Sequence, residues 1–481
     1  SVIELGTAIA SGSTVFDTTT VSADANGVLI AGDITIKPSA NFTSGTITLI
    51  NGDANNISTT EQADILVQDT ALTNFTVTAG AQDVTIAAAA KSDTATASEL
   101  LVTTNEAKSL RQAIESANTG SSADSAALTA LNDALVGING KSATDDTAVA
   151  KQIAPQTDLI SGSSVAAQAV TGSVQGIMSS RMASLRSGDA YFGTGVAAGG
   201  MSAQSGFIQV FGSTAEQNNT TVGSGTQYGY ESDTEGLAIG FDGVTDDGMT
   251  IGVSLATANT DVDGKGTGKS TNSIDTYSAS LYMDRATDAG YIEGSLTYGI
   301  NENSTSRKVN KAGLDRTYSG SYDSQSLSIN ISAGAPNEVG VGYLTPFGSF
   351  TASFMDIDSY TEKSTVANDA LRLKVAQDDI NSMIGTLGIK YHAEMGNGGT
   401  PMISLAINNE FGDATIDSTN TYQGGGTAFK TSTAVEELSA TLGLGYSYGS
   451  DATSIEFAYE ADVNDDEYLS HYGSVKIVGK F

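Results

Sequence analysis

The chain has 481 residues, with 55 Asp and Glu against 22 Lys and Arg, a formal net charge of −33. That balance excludes nucleic acid as a partner, because binding it needs Lys and Arg to displace counterions. The absence of cysteine excludes disulfides, thiolate metal sites and thiol nucleophiles. The two histidines, His392 and His471, leave little for histidine-based catalysis or metal ligation. Neither a secretory leader, an initiator Met nor a run of 18 apolar residues is present, so the chain is expected to be a mature or C-terminal piece of a longer one.

Residues 1–95 carry short Val/Ile/Thr runs, among them GVLIAGDITI, GTITLINGD and NFTVTAG, with Gly, Asn and Asp between them. A spacing of about 10 residues fits the rungs of a β-solenoid. Residues 96–158 change to helical spacing. Leu110, Ala113, Ile114 and Ala117 mark a helix over Asn105–Ala117, and Leu128, Leu131 and Leu135 a second over Ser122–Val136, with Ser122 as its N-cap and Gly120 between the two. The pair reads as a helical hairpin, with Ala148–Ala154 as a short third helix, placed to cap the solenoid or to sit over a barrel mouth. Residues 159–190 hold a thin, Pro-free helix rich in Ala, Ser and Gly, with Val165, Val170, Val174, Ile177, Met178, Met182 and Leu185 near helical spacing.

From residue 200 to 481 the pattern becomes strictly alternating. In ELSATLGLGYSYG, Leu438, Ala440, Leu442, Leu444, Tyr446 and Tyr448 share one face, and small or polar residues share the other. Twelve such segments follow one another, joined by alternating long and short links. Together, the even number, the long/short alternation and the charges on the second face (Glu293, Lys390, Glu394, Glu456, Glu460) predict a 12-stranded antiparallel transmembrane β-barrel with a wet lumen. The fold class is mainly β, with the helix in the pore. Arg181 and Arg186 are the only cations of that helix and sit near its C-terminal end, where the helix dipole favours them. They are expected to pair with lumen acids among Glu293, Glu394, Glu456 and Glu460.

Motifs for chemistry do not complete. GKGTGKST at 264–271 places Asp263 where a phosphate loop needs Gly, and it links two strands, so no nucleotide is expected. No G-x-S-x-G elbow occurs. The run DVNDDE beside His471 lacks the calcium-loop pattern. Neither a metal, a cofactor nor a catalytic residue is expected, and the chain reads as not an enzyme.

The segment Arg181-Met182-Ala183-Ser184-Leu185-Arg186, followed by Gly188-Asp189 and a first strand, resembles the pore-helix-to-barrel junction of autotransporters (type V secretion). Lys151-Gln152-Ile153-Ala154-Pro155 resembles the segment that precedes the pore helix in many of them. Phe481, a terminal aromatic on an alternating strand, is similar to the C-terminal signal of outer-membrane barrels. The resemblance covers about residues 105–481. It implies a translocator in the bacterial outer membrane that exports and anchors its own N-terminal part, with the pore closed by the helix at 159–188. Residues 1–95 would then be the C-terminal end of a passenger whose remainder lies upstream of Ser1, and residues 1–158 would stand at the cell surface. The implied partners are outer-membrane lipid, lipopolysaccharide and the host barrel-assembly machinery. Members that cut themselves inside the pore use an Asn-Asn pair in this helix. No Asn occurs between Thr157 and Gly206, so an uncleaved anchor is expected. Two other readings compete: a porin-like diffusion channel with an N-terminal periplasmic domain, and an outer-membrane hydrolase with a Ser/His pair at the barrel rim.

Overall fold

A strand in lipid satisfies its backbone only by pairing, and a sheet there can have no free edge, so a row of alternating strands has to close on itself. In the computed structural model it does. The structure describes residues 2–5, 9, 11–17, 33–38, 42, 44–52, 65–67, 69–70, 72–80, 83–100, 102–119, 151–153 and 157–186, together with 201–480 except 223–224, 288, 311–314, 396–397, 450–452 and 465–466. The barrel strands are β1 (Met201–Gln217), β2 (Tyr230–Thr245), β3 (Met249–Gly264), β4 (Thr271–Thr287), β5 (Gly290–Val309) and β6 (Arg316–Gly334), then β7 (Gly342–Ile357), β8 (Ile380–Ala393), β9 (Gly399–Glu410), β10 (Leu438–Gly449), β11 (Thr453–Asn464) and β12 (Tyr468–Lys480). Each pairs antiparallel with the next, and β12 returns to β1 from Tyr468 opposite Gln217 to Lys480 opposite Ser205. The twelve strands expected from the alternation are the twelve observed.

Side-chain parity divides the wall. Leu237, Ile239 and Phe241 on β2, Leu405 and Ile407 on β9, and Leu442 and Leu444 on β10 all point outward and are exposed, and Leu387 is 75% exposed. So much apolar surface facing out fits lipid, not water. About 9–11 residues cross the hydrocarbon, yet β5 has 20 residues and β6 has 19. Their outward faces change character along the strand: Ile300 gives way to Glu302, and Tyr277 on β4 to Asp275. Beyond that change the strands rise above the belt and form a rim at the end where the long loops lie.

Two of those loops build a small antiparallel sheet of their own. Its order is Tyr360–Thr361, Leu373–Gln377, Thr415–Tyr422 and Phe429–Ala434. The first two strands come from the β7–β8 loop and the last two from the β9–β10 loop. Helices α1 (Asp93–Leu100) and α2 (Thr104–Thr119) pack on this sheet and on the rim. Ser92 caps α1, its Oγ accepting from Ala95 N at 3.2 Å. At α2, Thr103 and Glu106 form a capping box: Thr103 N donates to Glu106 Oε2 at 2.7 Å and Glu106 N donates to Thr103 Oγ1 at 3.1 Å. Burial raises the pKa of Glu106, and the bonds from Thr103 oppose that shift. Thr103→Ala removes one cap acceptor and is expected to cost about 1 kcal/mol of α2 stability, read as faster amide exchange in the first turn of α2. The expected helix over Asn105–Ala117 is thus α2, whereas α1 was not anticipated. The expected second helix, Ser122–Val136, lies outside the described residues; of Ala148–Ala154, residues 151–153 are helical.

N-terminal to the helices, short strands stack in parallel. Ile3 lies opposite Ile36 and Ile36 opposite Val67, steps of 33 and 31 residues. A second ladder pairs Thr14–Asp17 with Gly45–Asn51, and the antiparallel hairpin of Thr73–Ala79 and Asp83–Ala90 closes it. Ile36, Phe42, Ile47, Leu49 and Ile86 form the core between them. The spacing of about 10 residues read from the sequence therefore separates successive strands along the chain; the stacked partners are about three times farther apart.

Candidate functional site

The bore of the barrel holds α3 (Thr157–Arg186), expected over 159–190. Thirty residues make a rod about 45 Å long, longer than the hydrocarbon is thick. Ala, Ser and Gly keep it slim. Val170, Val174, Ile177, Met178 and Met182 are buried against Phe207, Phe211 and Tyr282, and the inward Ala238, Ala256 and Ala258 leave room for them. A Cβ on Gly252 would stand 2.1 Å from the Tyr282 ring, so glycine there lets the ring lie flat on the wall.

Polar contacts hold the rod at both ends. At the start, Asp158 is fully buried, and its Oδ2 accepts from Gly266 N at 2.9 Å, in the loop between β3 and β4. Near the other end Arg181, 2% exposed, grips Asp242 of β2 bidentately, with Nε to Oδ2 at 2.7 Å and Nη2 to Oδ1 at 2.9 Å. Tyr282 Oη donates to the same carboxylate at 2.8 Å, and Ser205 of β1 bonds both partners. Lys476 of β12, 1% exposed, pairs with Glu456 at 2.7 Å and donates to Ser180 Oγ at 3.0 Å. Ser179 donates to Glu293 at 2.6 Å, and Gln175 to Ser328 at 2.6 Å. Every one of these wall residues points inward. The helix thus begins at the long-loop end and ends beside the short turns, so the chain threads the barrel.

A family model described as Autotransporter beta-domain matches residues 206–460, more than half of the chain. The chain belongs to the autotransporter family. That membership makes the barrel a translocator of the bacterial outer membrane. Outer membrane protein A of Rickettsia conorii is 26% identical to this autotransporter over 276 residues, 53% of this chain and 13% of that protein. Outer membrane protein A of Rickettsia rickettsii is 26% identical over 279 residues, 53% of this chain and 12% of that protein. The match therefore spans about an eighth of each relative. Among solved structures, the translocator domain of NalP from Neisseria meningitidis superposes with a TM-score of 0.50 at 16% identity, covering 67% of this chain and 99% of that one, a likeness of fold.

The autotransporter structure brings together only part of the expected site. Arg181 is buried in the bore, but the carboxylate it grips is Asp242, an acid outside the expected set. The outward parity of Leu237, Ile239 and Phe241, carried one step further along β2, places Asp242 inward. Glu293 meets the helix through Ser179, and Glu456 through Lys476. Lys476 itself was not anticipated. Glu460 faces the bore from β11 and is exposed there. Glu394 lies just past the end of β8 at Ala393, in the short turn, and is exposed there. The side chain of Arg186, and Phe481, lie outside the described residues. His392 faces the bore stacked on Tyr343, with ring centroids 5.3 Å apart, and His471 faces outward with its Nδ1 2.7 Å from Tyr459 Oη.

A second cluster crowns the long-loop mouth. Arg307 of β5 pairs with Glu362 through Nε and Nη2 at 2.6 and 2.7 Å and lies 4.2 Å over the Tyr318 ring; Arg316 pairs with Asp369. These ion pairs pin the β7–β8 loop to the rim. Helix α2 is then fastened across the loops: Ser109 to Tyr422 at 2.9 Å, Gln112 Oε1 to Thr427 N at 2.6 Å, and Ser116 to the Ala370 carbonyl at 2.8 Å. Gln152 bonds Asn310 at 2.9 Å and the Thr267 carbonyl at 3.0 Å. Burial pushes the Tyr422 hydroxyl up to about 12, so it stays protonated and able to donate to the Ile153 carbonyl at 3.1 Å. The sequence offered the helix of this cluster but no sign of its partner sheet.

Proposed function

We propose that this barrel exports the chain N-terminal to it, and that α3 then stays in the bore as plug and tether. One observation carries the reading: α3 enters at the long-loop mouth beside Gly266 and leaves beside the short turns, near the start of β1. In an outer-membrane barrel the long loops face the exterior and the short turns the periplasm. Residues 1–158 therefore lie at the cell surface, while the chain enters β1 and leaves β12 on the periplasmic side. A porin with a periplasmic N-terminal domain would need no chain through its bore.

In this reading the ladders of residues 2–90 are the last turns of a solenoid passenger, whose first strands would continue upstream of Ser1. The exposed Val2 and Phe16 on those strands support such a continuation. The helix stays uncleaved, held by the Arg181–Asp242 pair. Lipid and lipopolysaccharide surround the belt, and the host barrel-assembly machinery inserts it. The work is transport and display, without bond-making chemistry in these residues.

The test is proteolysis of intact cells producing the full chain. Loss of residues 1–158 with the barrel and α3 protected is the expected result. Protection of the N-terminal segment, with cleavage only after the outer membrane is breached, would establish the porin orientation instead.

A further inference from the structure

We infer that the barrel is sealed at its outer mouth by the docked cap of α2, residues 151–153 and the two-loop sheet, and that α3 alone leaves a wet passage. The inference rests on the export reading only for which side the cap faces.

Three observations lead there. First, α3 lies against one part of the wall. Its described wall contacts run from β12 through β1 to β6, and its other face is bare: Ala169, Gly172 and Gly176 are exposed, and a Cβ added at Gly172 or Gly176 would meet nothing within 4 Å. Second, the facing wall is wet. Thr386, Lys390, Ser404 and Asn408 point inward from β8 and β9 and are only half-buried, and Glu460 on β11 is exposed. Charges left in that state fit a water-filled lumen. Third, the outer end is dry. Val102, Ala107, Leu110 and Ala113 are fully buried against Leu373, Tyr422 and Phe429.

The origin of the cap sheet gives the arrangement its logic. Its strands come from the β7–β8 and β9–β10 loops, which belong to the strands that line the wet half. They fold over the mouth of the bore, packing with Tyr322 of β6, Ile357 of β7, Ile380 of β8 and Ala167 of α3, and α2 lies across them. A thin helix of small residues suits passage and retention in a narrow barrel, but its slimness leaves the half-bore open. An apolar, hydrogen-bonded lid closes that half without thickening the helix.

The experiment is conductance of the purified full chain in planar bilayers in KCl, compared with two cap variants. Leu110→Asp puts a charge into the cap core. Gly424→Leu wedges the loop from α2, because its Cβ would stand 2.6 Å from the Ser116 carbonyl oxygen and 2.4 Å from Ala370 Cβ. Neither position belongs to the barrel wall. The wild type is expected to stay closed, and each variant to conduct at least several-fold more while exposing Lys108 and Arg111 to trypsin. The inference is overturned if the wild type already conducts steadily, if α2 is released with conductance unchanged, or if neither substitution releases α2. If Leu110→Asp prevents refolding, the Gly424→Leu protein decides. Protease-protected N-termini in whole cells would remove the export reading and leave the conductance result standing.

Discussion

Arg181→Ala is expected to loosen α3 from the barrel by about 3–5 kcal/mol, because it strands Asp242 as a buried carboxylate. The carboxylate is 1% exposed and takes both of its strong donors from one guanidinium, with Tyr282 and Ser205 completing the set. Two hydroxyls cannot balance a full charge out of water, so the helix end would have to move or water enter. Arg181→Lys is expected to recover only part of the loss, because a point-charge ammonium cannot make the two parallel bonds. The diagnostic is the double variant Arg181→Gln with Asp242→Asn. Removing both charges removes the stranded carboxylate, so the pair should be less destabilised than Arg181→Ala alone. Denaturant unfolding of the micelle-refolded chain, with thermolysin cleavage at the apolar residues of α3 as the local readout, measures both. Equal stability of Arg181→Ala and the wild type would mean that packing of Val174, Ile177 and Met178 holds the helix without the ion pair.

Arg307→Ala is expected to have a comparable local effect at the other end of the molecule. Glu362 is buried, accepts both guanidinium bonds and also accepts Leu373 N at 2.7 Å. The pair therefore fixes two things at once, the β7–β8 loop on the rim and the first turn of the cap sheet. Losing one member leaves an unpaired buried charge, again about 3–5 kcal/mol, drawn from the cap rather than from the barrel. The expected result is rapid protease cleavage at Lys363 or Lys374 while the barrel keeps its unfolding midpoint. Arg316 and Asp369 secure the same loop through a separate pair, so the double variant Arg307→Ala, Arg316→Ala should free the loop completely. Simultaneous loss of barrel and cap in Arg307→Ala would show that the two fold as one cooperative unit.

The two sites differ in how far the sequence revealed them. The barrel was legible because strand periodicity is local: a residue faces lipid or lumen according to its parity, and twelve repetitions leave little freedom in the count. The helix at 159–190 was legible as a thin, proline-free helix, but its spacing fits a linker or an outside helix equally well, and its place in the bore was implied only by the resemblance of the Arg181–Arg186 segment. The mid-chain helix α2 announces itself by Leu110 and Ala113, and its capping box, Thr103 and Glu106, is also written in the sequence.

Pairings across the bore were beyond the sequence. Parity says that Asp242, Glu293, Glu456, Glu460 and Lys476 face inward, but not which of them the helix touches. That depends on strand stagger and on the rotation of α3, and it is closure of β12 on β1 that brings Lys476 to Ser180 and Ser205 to Arg181. The cap depended still more on tertiary structure. Its sheet joins residues from two loops, and Tyr422 meets Ser109 across 313 residues of chain; the short strands involved, such as Tyr360–Thr361, carry no periodicity of their own. Composition and alternation determined the kind of object this protein is, because burial of apolar faces follows a period written in the chain. Which charges meet, and what closes the mouth, only the tertiary structure decided, because those contacts exist once the sheet has closed and not before.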